Sequence, residues 1–99
     1  MHVTLKTIEK LDGLLDEAHE YIECATKHTD DKSLRDIYID LARCHLEGYE
    51  KLSKEAERAF ERKAQTMPEG EIYKQMCDWH KAKFEERYAK IKLMMDQSR

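Results

Sequence analysis

An apolar ladder with a period of eleven residues, in the middle of the chain, constrains the fold most. Eleven residues make about three turns of an α-helix, so side chains at this spacing lie on one face. The ladder consists of Leu34, Tyr38, Leu41, His45, Tyr49, Leu52, Ala56 and Phe60. Every member except His45 is apolar or aromatic. The pattern predicts one long amphipathic helix over residues 32–65, with a single imidazole on its apolar face.

Helical patterns also flank the ladder on both sides. In residues 4–27, apolar side chains recur at intervals of three and four, which is a heptad-type seam. This seam consists of Ile8, Leu11, Leu15, Ala18, Ile22 and Ala25. Residues 68–96 carry a comparable stripe, formed by Tyr73, Cys77, His80, Phe84, Tyr88, Ile91 and Met95. Both segments are therefore expected to be helices that bury one face.

Two short polar segments separate the three helices. In the first, residues 28–33, the candidates for capping the second helix are Asp30, Asp31 and Ser33. In the second, Thr66 and Glu69 match a capping box, and Pro68 would lie in the first turn of the third helix. Short turns join antiparallel neighbours. The sequence thus predicts an all-α fold, an antiparallel three-helix bundle that forms a single domain over residues 1–99.

Composition narrows the classes of function. The chain has 21 acidic and 18 basic residues, and its net charge of −3 argues against a nucleic-acid binder and against a polybasic membrane-surface helix. No apolar run approaches the roughly 20 residues that span a bilayer, and the first residues lack the apolar core of a signal peptide. The three cysteines are widely spaced, which favours reduced thiols and a cytoplasmic location.

A candidate metal site combines side chains of the first two helices. Asp16, His19 and Glu23 are spaced by three and four residues beside the apolar seam, so neighbouring pairs can chelate. Folding the first helix back on the second brings His45 to within about one turn of His19. Mixed carboxylate and imidazole ligands suit a divalent transition metal such as iron, manganese or zinc. The alternative, which the sequence favours, is a solvated acidic flank and a hydrogen-bonded core histidine, with no cofactor.

The pair Cys77 and His80 offers a thiol and an imidazole on one helical face. Two ligands are half of a tetrahedral zinc site, and no second such pair lies at a suitable spacing. The pair also has the residue types of a nucleophile and its base, but no third, orienting residue is evident. Packing in the core is the favoured interpretation, and no catalytic residue is predicted.

Residues 11–60 resemble the helical hairpin of ferritin-like proteins. The resemblance lies in a first helix with acidic residues and Tyr21, an Asp-containing turn, and a second helix that opens on Leu34 and continues with spaced apolar and His residues. It implies a bundle of ferritin-like shape. The family's Glu-x-x-His metal motif is absent, and the nearest variants end at His19 and His80. The resemblance therefore implies kinship of shape with metal-free members.

Three classes of function follow, in order of preference. The first is a small non-catalytic interaction or scaffold module that self-associates, most simply as a two-fold homodimer, or binds a partner protein. Its expected contact surface comprises Tyr21, Tyr38, Ile39, Leu46 and Trp79, which three helices would not cover fully. The second is a ferritin-like metal-binding protein with its site between the first two helices. The third is an enzyme that uses Cys77 and His80.

Overall fold

A computed structural model describes residues 2–27 and 30–98, with the side chain of His2 excepted. It consists of the helices α1 (His2–Lys27), α2 (Lys32–Thr66) and α3 (Gly70–Gln97). They pack into an elongated bundle of 55 × 18 × 16 Å. The predicted all-α three-helix bundle is confirmed, and no helix bound differs from the expected one by more than two residues. No helix in the described ranges is long and apolar enough to cross a membrane.

Ring contacts define how α2 packs on its two neighbours. Tyr21 of α1 lies against Tyr38 of α2, with 6.1 Å between the ring centroids. On the other side, Phe60 of α2 lies 6.3 Å from Tyr73 of α3, and Tyr49 lies 6.4 Å from Phe84. The α1–α2 pair has a second contact further along, where Leu14 lies beside Gly48. In both pairs of helices residue numbers therefore rise along one helix as they fall along the other. The helices therefore run up, down and up, as expected for short turns.

Polar contacts tie the parallel pair α1 and α3. The buried hydroxyl of Thr4 shares a hydrogen bond of 2.7 Å with the hydroxyl of Tyr73. Further along, Arg87 donates from its two terminal nitrogens to Asp12 and Asp16, which are one turn apart on α1. This forked contact is partly exposed to solvent, so it contributes little to stability. Its main effect is to fix the position of α3 along α1.

The cores of α1 and α3 agree with the sequence patterns. All six members of the α1 seam are buried. On α3, Tyr73, Phe84, Ile91 and Met95 are buried, whereas the other members of the stripe, Cys77, His80 and Tyr88, are half-buried. Both helices therefore bury the face that their own periodicity indicates.

The buried line of α2 differs from the predicted ladder. Its most buried residues are Ile39, Ala42, Leu46, Tyr49 and Ala56. Only two of these, Tyr49 and Ala56, belong to the ladder. Most of the other ladder members are half-buried, and Leu34 is 42% exposed. The reason is that α1 and α3 both pack on α2, so the deepest line lies between their two contacts. The ladder crosses this line, because Tyr38 and His45 contact α1 whereas Tyr49 and Phe60 contact α3.

The two turns gave one confirmed prediction and one wrong one. Asp31 is the N-cap of α2, where its carboxylate accepts a hydrogen bond of 3.0 Å from the amide of Leu34. Residues 28 and 29 of this predicted turn lie outside the described residues. The predicted capping box does not form, because Thr66 is the last residue of α2 and donates its hydroxyl to the carbonyl of Lys63. α3 begins later, at Gly70, and its N-cap Glu69 makes no side-chain cap hydrogen bond.

The hydrogen bond between Thr4 and Tyr73 gives a testable prediction. We expect Thr4→Val to lower the free energy of unfolding by about 1 kcal/mol, because the buried Tyr73 hydroxyl loses this hydrogen bond and keeps only Cys77 as a partner. Urea denaturation would measure this change. A double-mutant cycle with Tyr73→Phe should show coupling, whereas additive losses would mean that the hydrogen bond contributes little. Thr7→Val is the matched control, since the Thr7 hydroxyl donates only to the carbonyl of Val3 at an exposed site.

Candidate functional site

The four predicted metal ligands do not come together. Asp16 is bound by Arg87 of α3. His19 and Glu23 are neighbours on α1, with 3.6 Å between Nε2 and the carboxylate, and Glu23 also accepts from Lys27. Within the described residues, no group of three or more His, Cys, Asp and Glu side chains could hold a metal ion. Metal binding therefore stays a prediction of the sequence, without a preformed site to support it.

His45 makes a hydrogen bond, as expected, but it is half-buried at the edge of the core rather than inside it. Its Nδ1 lies 2.9 Å from the carbonyl oxygen of Leu41, and this nitrogen must donate because a carbonyl can only accept. Its ring lies 5.3 Å from the ring of Tyr21, which in turn contacts Tyr38. We call Tyr21, Tyr38 and His45 the ring cluster. All three side chains are half-buried between α1 and α2.

The predicted contact surface is corrected at two positions. Leu46 is 2% exposed and Ile39 is also buried, so both belong to the core and cannot offer a surface to a partner. The reason is the position of α3, which covers the side of α2 that the ladder left open. Tyr21 and Tyr38 remain half-exposed in the ring cluster. Trp79 is exposed on α3, where the ammonium of Lys83 lies 5.6 Å from its ring centroid.

A pocket of about 60 Å³ opens between the three helices near Cys77 and His80. Its walls are mainly apolar, and they are formed by Ile8, Leu11, Tyr49, Ala56, Phe60 and Phe84. At its rim, Lys81 donates to Glu57 across the α2–α3 boundary at 2.7 Å. This hydrogen bond is the main reason why the pKa of Lys81 is raised. The pocket has room for a few water molecules or one small apolar group.

The chemistry of this pocket does not activate the thiol. Burial, the largest effect, raises the pKa of Cys77, and a hydrogen bond with Tyr73 only partly opposes it. A raised pKa keeps more of the thiol protonated near neutral pH, whereas nucleophilic attack needs the thiolate. Burial likewise raises the pKa of Tyr49, on the same wall. In both groups the raised pKa favours the protonated, unreactive form.

An apolar stripe on the outer side of α2 was not predicted from the sequence. It consists of Leu34, Ile37, Leu41 and Cys44, and we call it the α2 stripe. Ile37 is 55% exposed, Cys44 is exposed and Leu41 is half-buried. The spacing of three, four and three residues was a readable signal. It was overlooked because Leu34 and Leu41 were assigned to the core by the eleven-residue ladder.

At the other end of the same side, basic residues replace the apolar ones. Lys6 and Lys10 of α1 line a shallow depression together with Val3 and Leu52. The ring cluster lies between this depression and the turn that contains Asp30 and Asp31. The outer side of α1 and α2 thus has an apolar middle, Lys6 and Lys10 towards one end, and the exposed Asp30 and Asp31 in the turn at the other.

Comparison of the chain with protein-family models, with curated proteins and with solved structures found no match. The likeness to ferritin-like hairpins therefore remains an expectation from the sequence, and the functional argument depends on the surface described above.

Proposed function

We propose that this chain is a small, non-catalytic helical interaction module of the cytoplasm that associates with a second copy of itself. The observation that carries the proposal is the exposure of the α2 stripe. Leu34 and Ile37 keep about half of their surface in water, on a rigid helix, one turn apart. Apolar side chains grouped in this way are typical of contact surfaces.

The energetics of this stripe favour association. Complete burial of a Leu or Ile side chain contributes about 1.5–3 kcal/mol, so hiding the exposed half of Ile37 contributes about 1 kcal/mol. The neighbouring ring cluster adds Tyr side chains, which are enriched in protein interfaces because they lose little rotamer entropy on burial. Since these side chains belong to a well-packed pair of helices, no further folding is needed before they bind.

Two further observations support the non-catalytic and cytoplasmic parts of the proposal. The thiol of Cys77 has a raised pKa, which opposes its use as a nucleophile. Cys24, Cys44 and Cys77 are all free thiols, as is usual in a reducing compartment.

Replacement of Ile37 tests the proposal. We expect Ile37→Glu to raise the dissociation constant of the homodimer at least tenfold, about 1.4 kcal/mol, because it sets a charge in the apolar contact. Size-exclusion chromatography with light scattering, over a concentration series, would measure the mass of the particle.

The matched control is Ile72→Glu on α3, where the replaced side chain is 65% exposed but lies away from the α2 stripe. It should leave the dissociation constant unchanged. A wild-type chain that remains monomeric up to about 1 mM, where an association of about 4 kcal/mol is already half formed, would refute self-association.

A further inference from the structure

We infer that the two copies pair antiparallel through the outer side of α1 and α2, with the two-fold axis between Leu41 and Cys44. This inference rests on the proposed self-association and adds the geometry of the contact. The surface involved comprises the α2 stripe, the ring cluster, and the depression formed by Val3, Lys6, Lys10 and Leu52, and we call it the α1–α2 face.

The distribution of charge along the α1–α2 face decides the orientation. Lys6 and Lys10 lie beside Leu52 at one end, and Lys51 is adjacent on α2. Asp30 and Asp31 lie in the turn at the other end, where both residues are exposed. A parallel pair would place each lysine next to the same lysine of the other molecule, and like charges repel. An antiparallel pair instead brings the basic end of one copy to the acidic turn of the other.

Heptad packing then limits the register. In an antiparallel coiled coil, the a positions of one helix face the d positions of the other. On the α2 stripe, Leu41 is an a position, so it can face either of the neighbouring d positions of the other copy, Cys44 or Ile37. The first register also sets Ile37 against Gly48, which has no side chain to obstruct it, and Leu34 against the aliphatic stem of Lys51. Each register opposes one acidic pair, Asp30 with Glu55 in the first and Asp31 with Glu47 in the second. Only the first register also sets Asp31 opposite a lysine, Lys54. The first register is therefore favoured.

A two-fold axis makes this contact closed and self-complementary. If Leu41 of one copy meets Cys44 of the other, the reverse contact forms as well, and the surface of each copy is used once. In this register residues 32–53 of the two α2 helices overlap, over about 33 Å at 1.5 Å per residue. Even if the full 18 Å width of the bundle took part, the contact would cover at most about 600 Å² on each copy. A standard stable interface covers about 800 Å² on each partner. Because this contact is smaller, we expect a reversible dimer.

Disulfide trapping tests the geometry with thiols that the chain already has. In the Leu41→Cys variant, the new thiol should face Cys44 of the other copy, and mild oxidation with oxidised glutathione should give a covalent dimer. Peptide mass mapping should identify a link between positions 41 and 44. The wild type should give little covalent dimer, because its two Cys44 residues are offset by three residues along the antiparallel pair, beyond the usual span of a disulfide.

The matched control is Leu34→Cys, which should not link to Cys44 in this register. Circular dichroism under reducing conditions would show that both variants fold. A Cys44–Cys44 link in the wild type would mean parallel pairing or an antiparallel pair centred on Cys44, and a link from position 34 would mean the other register. Either of these results, or a dimer that gives no link at all, overturns the inference while the proposed self-association stands. If the reduced wild type is strictly monomeric by light scattering, both the inferred geometry and the proposed self-association are refuted.

Discussion

Leu15→Ala is expected to lower the free energy of unfolding by about 2–5 kcal/mol. The side chain of Leu15 is 0% exposed and is one of the two largest that are fully enclosed, with Ile22. Its truncation loses the transfer energy of three apolar carbon atoms and leaves a cavity that rigid neighbours fill only in part. Urea denaturation followed by circular dichroism would measure the loss.

Leu5→Ala on the same helix separates core packing from helix propensity. Leu5 is exposed, so this substitution removes the same atoms without making a cavity. We expect a change within about 0.5 kcal/mol, as for most surface positions. Equal losses at positions 5 and 15 would contradict the assignment of the α1 seam to the core.

Gly70→Ala is the second substitution with a large expected effect. A Cβ atom at position 70 would overlap the carbonyl oxygen of Ala64 and lie 2.9 Å from its carbonyl carbon. Both are backbone atoms in the last turns of α2, so no rotamer change can relieve the overlap. We expect a net loss of about 2 kcal/mol, because overpacking of about 3 kcal/mol exceeds the gain of about 1 kcal/mol from replacing a helical glycine.

Gly13→Ala is the matched control, because it makes the same chemical change at an open site. No atom lies within 4 Å of a Cβ built at Gly13, which is in the middle of α1. This substitution should raise the free energy of unfolding by up to about 1 kcal/mol. Thermal unfolding of the two variants side by side should give shifts of opposite sign. If Gly70→Ala also stabilised the protein, the close approach of α3 to the end of α2 would be wrong.

Much of the fold was readable because local patterns agree with the global packing. The seam from Ile8 to Ala25 repeats at three and four residues, and every member is buried. Asp31 was expected as a cap and is one. The second turn was less readable, because Thr66 can serve either the end of one helix or the start of the next. The structure uses it at the end of α2.

The candidate site was predicted only in part. Spacing along α1 correctly made His19 and Glu23 neighbours, since side chains four residues apart meet on any helix. The same rule could not foresee that Arg87, more than 70 residues away, would bind Asp16. Conversely, the α2 stripe was visible as a pattern, but its exposure depends on which sides of α2 the other helices cover.

The sequence by itself determined that this chain forms three helices, where each approximately begins and ends, and which faces of α1 and α3 are buried. Each of those faces is narrow, so periodicity alone identifies it. On α2, apolar side chains extend around more than half of the circumference, from Ile39 through Tyr38 and Leu34 to Cys44. Only the tertiary structure decided which of them form the core, because the positions of α1 and α3 leave Leu46 in the interior and Ile37 in water.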